Sequence, residues 1–271
     1  DDTVNGNPIT TVSGLNAVLV DASGKVVDVV AVSTVDGTYQ FDNVVPGTYS
    51  VILTTSTVGE TAIGTDASTI NAVEPAGWVF TGENVGNQEG NDGNTNGVLT
   101  SVVVTSSPVE NANFGMQKLP VADDKSVVVT PPTIGSFLKL DGEGNYPLMS
   151  GYDEQDGTYT GGEGLSSDPS GVIITSLPTN GELYYNGTLV TSADISSQRV
   201  FEDPSLFSIK VTGGNYNSIS FDYLYVNATG LLGTVPATYE ISWSGPLPVT
   251  LVAFTATNES TTVSLQWSTA A

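Results

Sequence analysis

Short runs of alternating apolar and polar residues, each closed by a turn signal, recur along this chain, and no window keeps a helical period. Successive side chains of an extended strand point to opposite faces, so a period of two marks a strand with one buried face. Residues 15–20 and 26–32 flank the turn Asp21-Ala22-Ser23-Gly24. Asp36-Gly37 leads into 38–41, and Pro46-Gly47 into 48–53, where Tyr49, Val51 and Leu53 alternate. After a long polar excursion, further strands are expected at 98–104 and 111–116. Beyond Lys118-Leu119-Pro120, candidate strands fall at 126–130, 171–175, 182–185, 207–212, 218–226 and 237–243. Thr179-Asn180-Gly181 and Tyr185-Asn186-Gly187 read as hairpin turns. The fold class expected is all-β: tandem β-sandwich domains at 1–118 and 119–245, then a strand segment at 246–271.

That last segment is a hairpin too small for a core of its own. Val249 and Leu251 alternate with Thr250, and Val263, Leu265 and Trp267 alternate with Ser264 and Gln266. Asn258-Glu259-Ser260 stands between the two runs as a turn. A lone two-stranded hairpin is marginal in water, so its apolar face needs a partner, in this chain or in another. Assembly is therefore the first functional question.

Composition removes several kinds of chemistry. The chain has no cysteine and no histidine, which excludes disulfides, thiolate metal sites and every His-dependent triad. Six basic against 29 acidic residues give a net charge of −23, which repels nucleic-acid phosphates and anionic lipid. No run approaches the ~20 apolar residues of a membrane span. The opening Asp1-Asp2-Thr3 carries neither a basic nor an apolar leader, as a mature or excised segment would. Acidic residues are plentiful but sit in no catalytic motif, so no enzyme is expected.

VLVDASGKVV followed by VDGTYQFDNVVPGTYSVIL resembles the prealbumin-like B repeats of bacterial surface proteins, the SdrD B-like and CnaB-like families. PAGWVFTGENVG, GNDGNTNGVLTSVVV and NANFGMQ continue the pattern through about residue 117. LPTNGELYYNG, FEDPSLFSIKVTG and ATYEISW resemble Ig- or cadherin-like repeats. LPVTLVAFTATNESTTVSLQWSTA is similar to the segment ahead of the sorting domain in type IX-secreted proteins. The resemblance implies a secreted protein, extracellular or on the cell surface. The family usually places a strand ahead of D-x-T-x-N-G, whereas this chain begins at that Asp. The C-terminal strands of one copy could therefore complete the sheet of the next, or fold back on residues 119–245.

The first metal candidate is Asp92-Gly93-Asn94-Thr95-Asn96-Gly97, which matches the first half of a calcium loop, D-x-[DN]-x-[DN]-G. Val103 stands where the bidentate acid of an EF-hand would be, so it is not an EF-hand. Asp92, Asn94 and Asn96 are the expected ligands, with Glu83, Asn87 and Glu89 near in sequence. The resemblance implies Ca2+. The other reading is an Asn-Gly loop whose side chains cap their own backbone. A second acidic stretch runs through Asp141-Gly142-Glu143-Gly144-Asn145 and Asp153-Glu154-Gln155-Asp156-Gly157, which reads first as a solvated acidic loop, while Asp153, Glu154 and Asp156 also resemble cadherin-type calcium segments. An isopeptide bond is not expected, because Lys25 is the only lysine before Lys118. Asp2-Thr3-Val4 matches a D-[ST]-aliphatic O-glycosylation pattern at Thr3.

These features describe a non-enzymatic subunit of a surface filament or stalk, stiffened by calcium. Its partners are copies of itself, joined head to tail through Val249, Leu251, Val263, Leu265 and Trp267. The alternative is an adhesin or carbohydrate-binding module that meets surface glycans through its loops or through Trp78, Trp243, Trp267, Tyr184 or Tyr185.

Overall fold

The computed structural model describes residues 4, 6–87, 89–154, 157–159, 170–213, 218–243 and 250–270. Within them the chain is all-β but for one five-residue α-helix and three short 3-10 turns. It divides into two compact units. One is Asp1–Val121 with Asp153–Gly157 and Asn227–Thr234; the other holds the remainder, including the C-terminal hairpin.

Six strands build the first unit: β1 (Asn16–Asp21), β2 (Val26–Ala31), β3 (Gly47–Thr54), β4 (Trp78–Val85), β5 (Val98–Val104) and β6 (Ala112–Lys118). Four form an antiparallel sheet in the order β2-β1-β3-β5, and β4 pairs with β6 alone. The middle strands β1 and β3 are apolar on both faces, which is why AVLV and VIL read as continuous runs. Ala17, Leu19, Tyr49, Val51, Leu99 and Val102 form one cluster, joined by Tyr39, Phe41 and Phe114. Val18, Val20, Val26 and Ile52 form another, covered by Val58, Ala62, Ala67 and Ile70. Part of the polar excursion thus supplies the lid of a sheet face.

Two strand expectations change here. Residues 38–41 are not a strand. Tyr39 and Phe41 instead set their rings edge to face, 5.6 Å apart. Strand β4 lies wholly within the supposed polar excursion. Its pairing with β6 shifts by one residue between Phe80 and Gly82, so Thr81 is an extra, bulged residue. A one-residue slip turns every later side chain to the other face. Glu83 therefore lies opposite Phe114, on the apolar side, where unbroken alternation would have sent it outward.

The second unit is a sandwich of two sheets. Short strands β7 (Val121–Ala122), β10 (Gly151–Asp153) and β11 (Gly157–Tyr159) form a small separate sheet. One main sheet has the order β15-β12-β17-β18-β8, from β8 (Lys125–Val129), β12 (Gly171–Ile174), β15 (Val200–Phe201), β17 (Ser218–Val226) and β18 (Ala237–Trp243). The other runs β14-β13-β16-β9, from β9 (Phe137–Lys139), β13 (Gly181–Tyr185), β14 (Thr188–Leu189) and β16 (Phe207–Val211). Between them lies one continuous core that includes Phe201, Phe207, Phe221, Tyr223, Tyr225 and Tyr239. Helix α1 (Ser192–Ser196) is closed by a capping box between Thr191 and Asp194.

The C-terminal segment is the hairpin β19 (Thr250–Glu259) and β20 (Thr262–Ala270). Its turn is Ser260-Thr261, two residues later than the sequence pattern suggested, with Ser260 at φ 56°. Phe254 lies opposite Trp267, Ala256 opposite Leu265, and Asn258 opposite Val263. By the strand period these residues share one face, and Thr255, Thr257, Ser264 and Gln266 take the other.

Candidate functional site

The loop between β4 and β5 folds over the buried Glu83. Gly97 makes this possible. It sits at φ +68°, and a Cβ there would come within 2.4 Å of the Phe80 ring. The bare glycine lets its N–H reach Glu83 Oε1 at 2.6 Å. Asp92 N–H donates to the Glu83 backbone carbonyl at 2.7 Å, which anchors the other end of the loop.

The loop's side chains do not converge as the sequence pattern suggested. Asp92 Oδ1 accepts from Asn94 N–H at 3.0 Å, and Asn96 Oδ1 accepts from Val98 N–H at 2.9 Å. These are Asx turns, in which the side chain caps its own backbone. Asn94, Asn96 and Glu89 are exposed. The group that stands out is Glu83, which is fully buried, with Oε2 lacking any hydrogen-bond donor. Burial pushes its carboxyl above the usual range, and the facing Asp92 carboxylate pushes it further. The bulge that turns Glu83 inward has no mark in the period of the sequence.

The other acidic candidates separate. Asp153 is buried and accepts from Asn227 Nδ2 at 3.1 Å, so it braces a loop. Asp156 lies outside the described residues. Asp141 Oδ1 accepts from Glu143 N–H at 3.0 Å in a local turn. Among the described residues no three acidic side chains gather as a metal site would require. Lys25 pairs with Asp66 at 3.7 Å on the surface. Tyr184 and Tyr185 take opposite faces of β13. Tyr185 packs in the core against Phe201 and Phe207, and Tyr184 against Phe137. Thr3 and Val249 lie outside the described residues, and Leu251 is described only in its backbone pairing with Thr269.

Two surfaces bear on assembly. The first is the hairpin face, where Phe254, Val263, Leu265 and Trp267 are 57%, 63%, 54% and 66% exposed. Phe254 has a readable signal in the alternation Phe254-Thr255-Ala256-Thr257, which the sequence reading passed over. The second is a groove of about 1190 Å³ in the first unit, floored by Leu19, Val51 and Leu53. Six successive residues of β6, Ala112 to Gln117, line it. Among the described residues β6 pairs with β4 alone, so its other edge carries no strand. Tyr39 instead donates its hydroxyl to the Ala112 carbonyl there.

No helix among the described residues is long and apolar enough to cross a membrane. Comparison with protein-family models, with curated proteins and with solved structures finds no match to this chain.

Proposed function

We propose that the chain is a structural subunit that assembles head to tail, the C-terminal hairpin of one copy adding to the free edge of β6 in the next. The observation that carries this reading is a matched pair of surfaces. One is an amphipathic hairpin with an uncovered apolar face, and the other is an unpaired strand edge along an apolar-floored groove. Strand addition supplies main-chain hydrogen bonds, and pockets for alternate side chains supply selectivity. Charge favours this segment as the donor. Two chains of net charge −23 repel, yet Thr250–Ala270 carries a single charged residue, Glu259. Donor and acceptor are different surfaces, so the contact is heterologous and extends into a filament unless the rotation closes a ring. The resemblance to B repeats of surface proteins supports a secreted filament or stalk.

Negative-stain microscopy and sedimentation of residues 1–271, beside a chain ending at Trp243, test the proposal. Polymers from the longer chain and monomers from the shorter one are expected. Polymers that persist without the hairpin would overturn it, and so would a monomeric full-length chain at every concentration.

A further inference from the structure

We propose that residues 38–44 are a placeholder on the free edge of β6, held there by the Tyr39 hydroxyl and lifted when the incoming hairpin docks. Its role rests on the head-to-tail reading and adds a control to it: the acceptor edge is closed in the single chain and opens on assembly. The direction of the β6 backbone groups shows where Tyr39 sits. Asn111 C=O accepts from Gly86 N–H at 2.9 Å, so it faces β4. Along an antiparallel pair, residues alternate between bonding the partner strand and turning their N–H and C=O away from it. Ala112 and Phe114 therefore turn theirs to the free edge. The Tyr39 hydroxyl donates to that outward Ala112 carbonyl. It occupies a position where an added strand would place a main-chain N–H.

The rest of the segment has the build of a removable cover. Residues 38–41 alternate as a strand does, yet residues 39–46 enter no ladder. Among the described residues, the Tyr39 bond is the only hydrogen bond from 38–44 to β6. The Tyr39 ring lies 5.6 Å from Phe41 and 6.2 Å from Phe114, and Tyr39 and Phe41 both line the groove. Thr38, Gln40 and Asp42 are exposed. The segment is tied at its two ends. Ser33 N–H donates to the Thr38 carbonyl at 2.8 Å, and the Tyr49 hydroxyl donates to the Val45 carbonyl at 2.7 Å. Between those ties it can swing away without unpairing any strand. A bare edge invites indiscriminate pairing, and a side-chain cap blocks it. Docking exchanges one side-chain hydrogen bond and two rings for a main-chain ladder and the apolar face of the hairpin, so the added strand displaces the cover.

Sedimentation velocity over a dilution series of the wild type and Tyr39→Phe tests the placeholder, with circular dichroism checking that both fold alike. Phenylalanine keeps the ring and drops only the hydroxyl. The net worth of one neutral hydrogen bond corresponds to a factor of roughly 3–10, so Tyr39→Phe is expected to associate about 3–10-fold more tightly. Brief chymotrypsin digestion of the wild type gives a second readout that needs no variant. Cleavage after Tyr39 and Phe41 is expected to rise in the polymer, where the segment is lifted, relative to the dilute monomer. With both chains polymeric, equal or weaker association of Tyr39→Phe would overturn the placeholder and leave head-to-tail assembly standing. Cleavage in 38–44 that does not rise on polymerisation would do the same. Both chains monomeric at every concentration would overturn the assembly and the placeholder together.

Discussion

Replacing Trp267 by alanine separates an assembly residue from a core residue. Trp267 is 66% exposed in the single chain. An aromatic side chain of this size presents about 150–250 Å², so docking would remove roughly 150 Å² from water. At about 25 cal/mol per Å² that is ~4 kcal/mol, an upper figure, because alanine still buries some area. Immobilising the side chain on binding costs about 1 kcal/mol. The net loss on substitution is about 2–3 kcal/mol, or roughly 30–150-fold weaker association. Within the free chain Trp267 stands opposite Phe254 in the hairpin, a cross-strand pair worth up to about 1 kcal/mol locally. The main unfolding transition should therefore stay put, because little else rests on this ring. Sedimentation velocity over a dilution series reads the association, and circular dichroism reads the melting. A melting point several degrees lower with unchanged association would refute the reasoning and place Trp267 in a core.

Two local predictions follow from the same geometry. Gly97→Ala forces a left-handed backbone on a Cβ that meets the Phe80 ring at 2.4 Å, and should cost about 2–4 kcal/mol. Gly93→Ala, at φ +95° with open space around it, should cost only about 1 kcal/mol, and equal losses by urea titration would contradict this account. In the second unit, Thr191 N–H, the Arg199 guanidinium and the Thr191 hydroxyl together hold the Asp194 carboxyl down to about 2 from 3.8. A folded-state pKa below the unfolded one stabilises above the unfolded value and fades as pH falls through the folded one. Asp194→Ala should cost about 1 kcal/mol at pH 7, with the difference from wild type vanishing between about pH 4 and pH 2. A difference independent of pH, measured by denaturant titration, would count against the capping role.

Strands bounded by turns and exposed on one face were legible from period alone. β5, β17 and β18 have the bounds that the alternation marks. The failures share a cause, which is information held by strand pairing and absent from the strand itself. β4 escaped notice because its bulge at Thr81 breaks the alternation, and the same bulge hides the inward turn of Glu83. Residues 38–41 carry the alternation of a strand, yet the sheet gives them no ladder, and Tyr39 and Phe41 serve as packing groups. The Asp92 loop was legible as a loop, but the roles within it were not. Asp92 Oδ1 and Asn96 Oδ1 cap backbone N–H groups, while the orphaned oxygen belongs to a residue on a neighbouring strand. The free edge of β6 likewise depends on long-range pairing, so its sequence reads like that of any strand.

Cross-linking between copies tests the assembly most directly, because the native chain has no cysteine to confuse it. Asn113 is exposed on β6, and Ser264, Gln266 and Ser268 are exposed along β20, all on polar faces. Chains carrying N113C would be mixed with chains carrying S264C, Q266C or S268C and oxidised mildly. A disulfide needs its Cα atoms within about 4.4–6.8 Å, so only paired positions should bond. Strand addition at β6 predicts that one of these mixtures gives an interchain disulfide in high yield. A control chain with E240C, on the exposed side of β18, should not. Yields no higher than the control in all three mixtures would contradict docking through β20, and the same result with T255C and T257C on β19 would contradict the account.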